Sequence, residues 1–287
     1  MRRRLGLSLL PLLALVALAG CGGGSSSPVA APAIGAARQF ELAGFQPTGQ
    51  ITPGKPTTVA FTIQQPNGKA LTRYKTGSGP HTGVHLIIVR DDLAYIIHQH
   101  PPVGANGRLT QTVTFPAPGT YRVLVDAYPD LPGGQPNFQL YKSIVVKGAY
   151  HPKPLPAFKA DQVIDGYHVD MQGKPSLHSV QAQFLHVDVT DPGGKRVKFV
   201  PWFGALAHAI FFHQGSLDYF HTHICAPNAP NCGSLPGVPA TRISGTSTAP
   251  GKLTVGVLLP VSGTWELFLQ MKLNGKIVTV PYTLHVA

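Results

Sequence analysis

Histidine recurs in one spacing twice along the chain, first as His85, His98 and His100 and then as His208, His221 and His223, each set reading His-x12-His-x-His. Neutral imidazole is a ligand for zinc, copper and nickel, and three rings converging on one face can hold such an ion. The middle of each segment carries turn residues, Asp91-Asp92 and Gln214-Gly215, which predicts a hairpin closed by a two-residue loop. That register sets Arg90 opposite Leu93, His85 opposite His98 and His208 opposite His221, with Cβ atoms about 4.5–5.5 Å apart. Residues two apart on a strand share a face, so His100 and His223 join their pairs. The competing reading is a packed cluster of structural histidines. Repetition argues against it, because three matched positions keep histidine while Leu86 becomes Ala209 and Ile97 becomes Phe220. The expectation is two separate metal sites, each at the rim of its own core, beside Ile87 and Ile96 in one copy and Ile210, Phe212, Leu217 and Tyr219 in the other.

Further ligand candidates are His81, which shares the parity of His85 but is matched by Gly204, and Asp126, which aligns with Gln270 and suits a partner that fixes an imidazole tautomer. Cys225 and Cys232 are separated by six residues of a Pro- and Asn-containing loop, and in an exported chain such a pair is expected to form a disulfide. The rival use of Cys225 is as a soft ligand in line with His221 and His223. Other chemistries fit poorly. Blue-copper centres need a Cys ligand with His and Met close behind, and neither copy has one. Met171 and Met271 are the only methionines beyond the leader, too few for a methionine-rich copper carrier. Gly215-x5-His221-x-His223 imitates the start of a cupin motif without its later Glu and His. Nothing pairs a Ser or Cys nucleophile with a base.

The elements that must carry these histidines are short runs of Val, Ile, Thr, Phe and Tyr between turn residues. In the first half they are 57–63, 84–89, 94–98, 109–115, 121–125 and 143–146. The second half has 184–189, 208–212, 217–221, 253–259, 265–269 and 277–286. With 32 Gly and 28 Pro in 287 residues there is little room for helices, so an all-β chain of sandwiches is expected. The segments 85–100 and 208–223 align without a gap, and Gly119-Thr120-Tyr121 matches Gly263-Thr264-Trp265, which points to a duplicated unit. The predicted organisation is a leader over 1–20, a flexible linker over 21–37, a first sandwich over 38–148, a Pro-rich linker over 149–162 and a second sandwich over 163–287.

The chain opens Met1-Arg2-Arg3-Arg4, continues through apolar residues to Ala19 and reaches Leu18-Ala19-Gly20-Cys21. A charged start, an apolar stretch shorter than the ~20 residues of a spanning helix and a small-residue cleavage site make an export signal. The tetrapeptide ending in Cys21 resembles the lipobox of bacterial lipoproteins, which implies lipid on the Cys21 thiol and tethering to the outer face of the cell membrane. Loss of the leader takes away three arginines, so a formal charge of +11 falls to +8. With 12% charged residues scattered along the chain, that balance suits anionic lipid or wall polymer rather than nucleic acid.

The stretch His85-Leu86-Ile87-Ile88-Val89-Arg90-Asp91-Asp92-Leu93 through His98-Gln99-His100-Pro101-Pro102, with Phe115-Pro116-Ala117-Pro118-Gly119-Thr120-Tyr121, resembles secreted bacterial proteins built from Ig-like or cupredoxin-like sandwiches. These are loosely similar to the YtkA-like and CopC-like domains associated with copper handling outside the cytoplasm. The resemblance spans 38–287 and implies copper rather than zinc, with an envelope copper protein as partner. The functional expectation is thus a membrane-tethered protein, not an enzyme, that binds or delivers copper. Two alternatives stay open: a zinc hydrolase or hydratase using the same triplets, and an interaction module of the envelope that binds no metal.

Overall fold

The computed structural model describes residues 40–227, 229 and 243–287, so the readings on Cys21 and Cys232 lie outside the described residues. In chain order the strands of the first half are β1 (Glu41–Gln46), β2 (Pro56–Gln64), β3 (Val84–Arg90), β4 (Ile96–Gln99), β5 (Arg108–Thr114), β6 (Gly119–Ala127) and β7 (Phe138–Val146). The second half has β8 (Asp161–Ile164), β9 (Tyr167–Met171), β10 (Gln183–Thr190), β11 (Ala207–His213), β12 (Tyr219–Cys225), β13 (Gly245–Thr246), β14 (Lys252–Val257), β15 (Gly263–Leu273) and β16 (Lys276–Val286). The described residues are all β, as the turn density predicts, and contain no helix long and apolar enough to cross a membrane.

The first half is a sandwich of two sheets, β1-β2-β5 and β4-β3-β6-β7. Its core is built from inward residues such as Phe61, Leu86, Ile88, Phe115, Tyr121 and Val125. The second half repeats the plan with β12-β11-β15-β16 as one layer and β14-β10-β9-β8 as the other. Here short β13, parallel to β12 and antiparallel to β14, joins the layers into one nine-stranded sheet. Tyr121 and Trp265 occupy matching places. The Tyr121 hydroxyl donates to the Ala117 carbonyl at 2.9 Å and the Trp265 indole N–H donates to the Val261 carbonyl at 3.0 Å, so each large ring is buried with its polar end satisfied.

The hairpins differ from the expected two-residue loops. Arg90 pairs with Tyr95 and His213 with Asp218, which leaves four-residue loops at 91–94 and 214–217. Register therefore shifts by two: His98 faces Ile87 and His221 faces Ile210, while His208 faces His223 and the continued ladder brings His85 to His100. A shift of two keeps parity, so each triplet still shares a face. Leu93 and Leu217 take the left-handed conformation at φ 62° and 57°. That costs on the order of 1–2 kcal/mol for a residue with a Cβ, and it is offset by burying both side chains, which are 2% and 5% exposed.

Where those leucines go decides the architecture. Ile87, Val89, Leu93 and Leu124 from the first half pack with Ile210, Phe212, Leu217 and Phe268 from the second in a third apolar cluster, distinct from both sandwich cores. The face carrying the histidines is thus the outer face of each β-layer, pressed against its counterpart. All seven residues of β3 and six of the seven in β11 are buried because each strand is covered on both sides.

Candidate metal centre

The six repeated histidines meet where the two outer faces meet. They do not form the expected pair of sites at the rims of separate cores. Their ring centroids obey an approximate twofold relation: His85 lies 4.9 Å from His221, and the matched pair His98 and His208 also lie 4.9 Å apart. His98 and His221, each on the edge strand of its layer, face one another across the relation at 5.5 Å. Three groups bring ligand atoms within 4.8 Å of one another: His85, His98 and His100; His85, His221 and His223; and His98, His208 and His221. The first is the triplet expected from sequence. The second expected triplet is divided, its members grouping instead with His85 and His98 of the other sandwich. An ion with bonds of about 2.0–2.1 Å needs nitrogens roughly 3–3.5 Å apart, a spacing that His208 Nδ1 and His221 Nε2, at 3.2 Å, already have.

Hydrogen bonds fix several tautomers. The Gln270 amide N–H donates to Thr279 Oγ1 at 3.0 Å, which turns its carbonyl oxygen to accept from His98 Nδ1 at 3.1 Å and leaves the Nε2 lone pair free. The Trp202 carbonyl accepts from His208 Nε2 at 2.8 Å, so His208 Nδ1 accepts from His221 Nε2 at 3.2 Å and the lone pair falls on His221 Nδ1. Asp126 faces His85 in the β3–β6 ladder, with Oδ2 3.5 Å from His85 Nδ1, close enough to set the local charge but without a hydrogen bond to that nitrogen. Asn137 and Tyr128 donate to the two Asp126 oxygens at 3.2 and 3.3 Å. His81 stands edge-on to His223 at 4.7 Å between centroids and 3.5 Å from the Tyr128 hydroxyl.

Seven ring nitrogens of these histidines are buried with no hydrogen-bond partner: both of His85, Nε2 of His98 and His100, Nδ1 of His221 and both of His223. Burial, reinforced by neighbouring imidazoles, holds His98, His221 and His223 well below the usual histidine value and His100 down at about 2. Burial takes His208 to about 3 and His81 to about 4. Each of these rings is therefore neutral at pH 7, the form that ligates metal.

Sequence reasoning missed the aromatic wall. Phe203 stacks on His100 with centroids 3.9 Å apart, and Trp202 lies edge-on to His98 at 5.2 Å. Gly204 has φ 81°, and a Cβ there would meet the Gly79 carbonyl carbon at 2.4 Å, so only glycine lets this loop close on the one before His81. The alignment of His81 with Gly204 was the available signal that these loops are counterparts. Cys225 ends β12 and is buried.

The fold and the buried histidine cluster define a duplicated β-sandwich protein with a polar centre between its halves. A family model for a domain of unknown function, DUF8832, matches residues 40–134 and 161–287, and the chain belongs to that family. No curated protein matches the chain. Among solved structures it is similar to the Escherichia coli adhesin FdeC, at 16% identity and TM-score 0.24 over 87% of this chain and 63% of that one. It is also similar to invasin, a bacterial integrin-binding protein, at 15% identity and TM-score 0.22 over 85% of this chain and 39% of that one. The fibronectin(III)-like modules of Clostridium thermocellum CbhA align at 11% identity and TM-score 0.21 over 86% of this chain and 92% of theirs. The chain spans less than two thirds of FdeC and of invasin.

Proposed function

We propose that the chain is a lipid-anchored envelope protein that binds copper through histidines of both sandwiches, as one shared site per chain. The observation that carries this reading is the set of seven unpartnered imidazole nitrogens. A buried polar group left without a partner costs about 1–3 kcal/mol, so a cluster kept only for packing would be a heavy liability, and an ion would relieve several of these at once. Any two of the three ligand groups share one histidine, so filling one depletes the others and a single ion is expected. Charge favours monovalent copper over a divalent ion such as zinc. Asp126, 2% exposed, is the carboxylate beside His85. With it a monovalent copper ion leaves the buried site neutral, whereas zinc leaves it with a net positive charge that is costly to bury. Lipid on Cys21 would hold this site at the outer face of the cell membrane. Protein purified without a nickel column should carry copper on metal analysis. Zinc in its place would favour the hydrolytic alternative, and metal-free protein that takes up neither ion would leave a structural histidine cluster.

A further inference from the structure

A second buried polar group stands apart from the histidines. The duplication relates Arg122 on β6 to Glu266 on β15, since Tyr121 and Trp265 match and each is followed by one of them. Both lie on the outer faces that meet between the sandwiches. Arg122 fills its side: its Nη1 donates to the Ser216 and Leu217 carbonyls in the opposing hairpin loop, both at 3.0 Å, and its guanidinium lies over Tyr141 at 4.7 Å. Glu266 occupies the matching place against the other hairpin loop, and that side is hollow. A cavity of about 390 Å³ opens there, walled by Leu93, Tyr95, Ile96, Leu155, Phe268 and Pro281. Glu266 is 2% exposed, and the Thr283 hydroxyl donates to its Oε2 at 2.8 Å. Among the described residues no cation pairs with it.

The nearby charges are engaged elsewhere. Asp92 is held by Arg90 at 2.6 and 2.7 Å and by the Lys153 main-chain N–H at 2.8 Å, and Lys153 Nζ donates to the Tyr95 hydroxyl at 3.3 Å. Burial pushes the Glu266 carboxyl up to about 7, as expected of an acid with no cation beside it. A buried carboxylate facing an apolar cavity is a design for a ligand that brings the missing charge.

We propose that this cavity binds a small organic cation, an ammonium or guanidinium on an apolar body, which supplies to Glu266 the positive group that Arg122 supplies within the chain at the matching place. Phenylguanidine and its neutral isostere phenylurea test this on the full chain by calorimetric titration. Phenylguanidine should bind at least tenfold more tightly than phenylurea, and Glu266→Gln, which keeps the size and the Thr283 contact, should erase that preference. Leu155→Trp, which fills the cavity and leaves Glu266 in place, should block both compounds. Equal binding of the two, an unchanged preference in E266Q, or no binding of phenylguanidine would overturn the proposal.

Discussion

Metal-free protein should unfold cooperatively on mild acidification, with a midpoint between about pH 4 and 5.5. The cause is the depressed basicity of His81, His98, His100, His208, His221 and His223. In the unfolded chain a histidine takes up its proton near 6.5, whereas in the fold these rings stay neutral far below that value. Stability is therefore fully present above about 6.5 and falls as pH drops from there toward the folded values. Each such ring removes about 1.4 kcal/mol per pH unit in that window. Three of them acting over two units remove about 8 kcal/mol, comparable to the whole stability of a domain. Circular dichroism and tryptophan fluorescence against pH check this, and a native signal held down to pH 3.5 would mean that the cluster is not buried in solution.

Copper should oppose that lability and raise the melting temperature of both sandwiches together. Ion held at a thousandfold above its dissociation constant adds about 4 kcal/mol to the folded state, which for a chain of this size corresponds to roughly 8–16 °C. The third apolar cluster and the shared histidines belong to both halves, so calorimetry should show one transition that shifts as a whole. His85→Ala should lose the shift, because His85 belongs to two of the three ligand groups and stands beside Asp126. Two transitions of which copper moves one would separate the halves and contradict a shared site.

Much of this was legible in the sequence. The repeat and the strand parity brought the right histidines to one face, and parity survived the error in loop length because a shift of two residues preserves it. Which face that was could not be read from β3 or β11. Val84-His85-Leu86-Ile87-Ile88-Val89 and Ala207-His208-Ala209-Ile210-Phe211-Phe212 are apolar on both sides, so alternation marks no core face, and Ile87 and Ile210 were assigned to their own cores. The missing alternation was itself the clue that a second layer covers each strand. The β8–β9 hairpin was lost for a different reason. Asp165-Gly166, with φ of 51° and 82°, is a strong hairpin turn, but β8 begins at Asp161 inside the stretch read as a Pro-rich linker. Phe203 and Trp202 reach the histidines from a loop, where periodicity carries no information.

The most direct test of a single site shared by both halves is a copper titration under reducing, anaerobic conditions of the wild-type chain beside His98→Ala and His221→Ala. One equivalent should bind to the wild type, and each variant should lose that same equivalent, since the two rings face one another across the interface. Two equivalents in the wild type, with one retained in each variant, would instead mean two independent sites and would contradict the account.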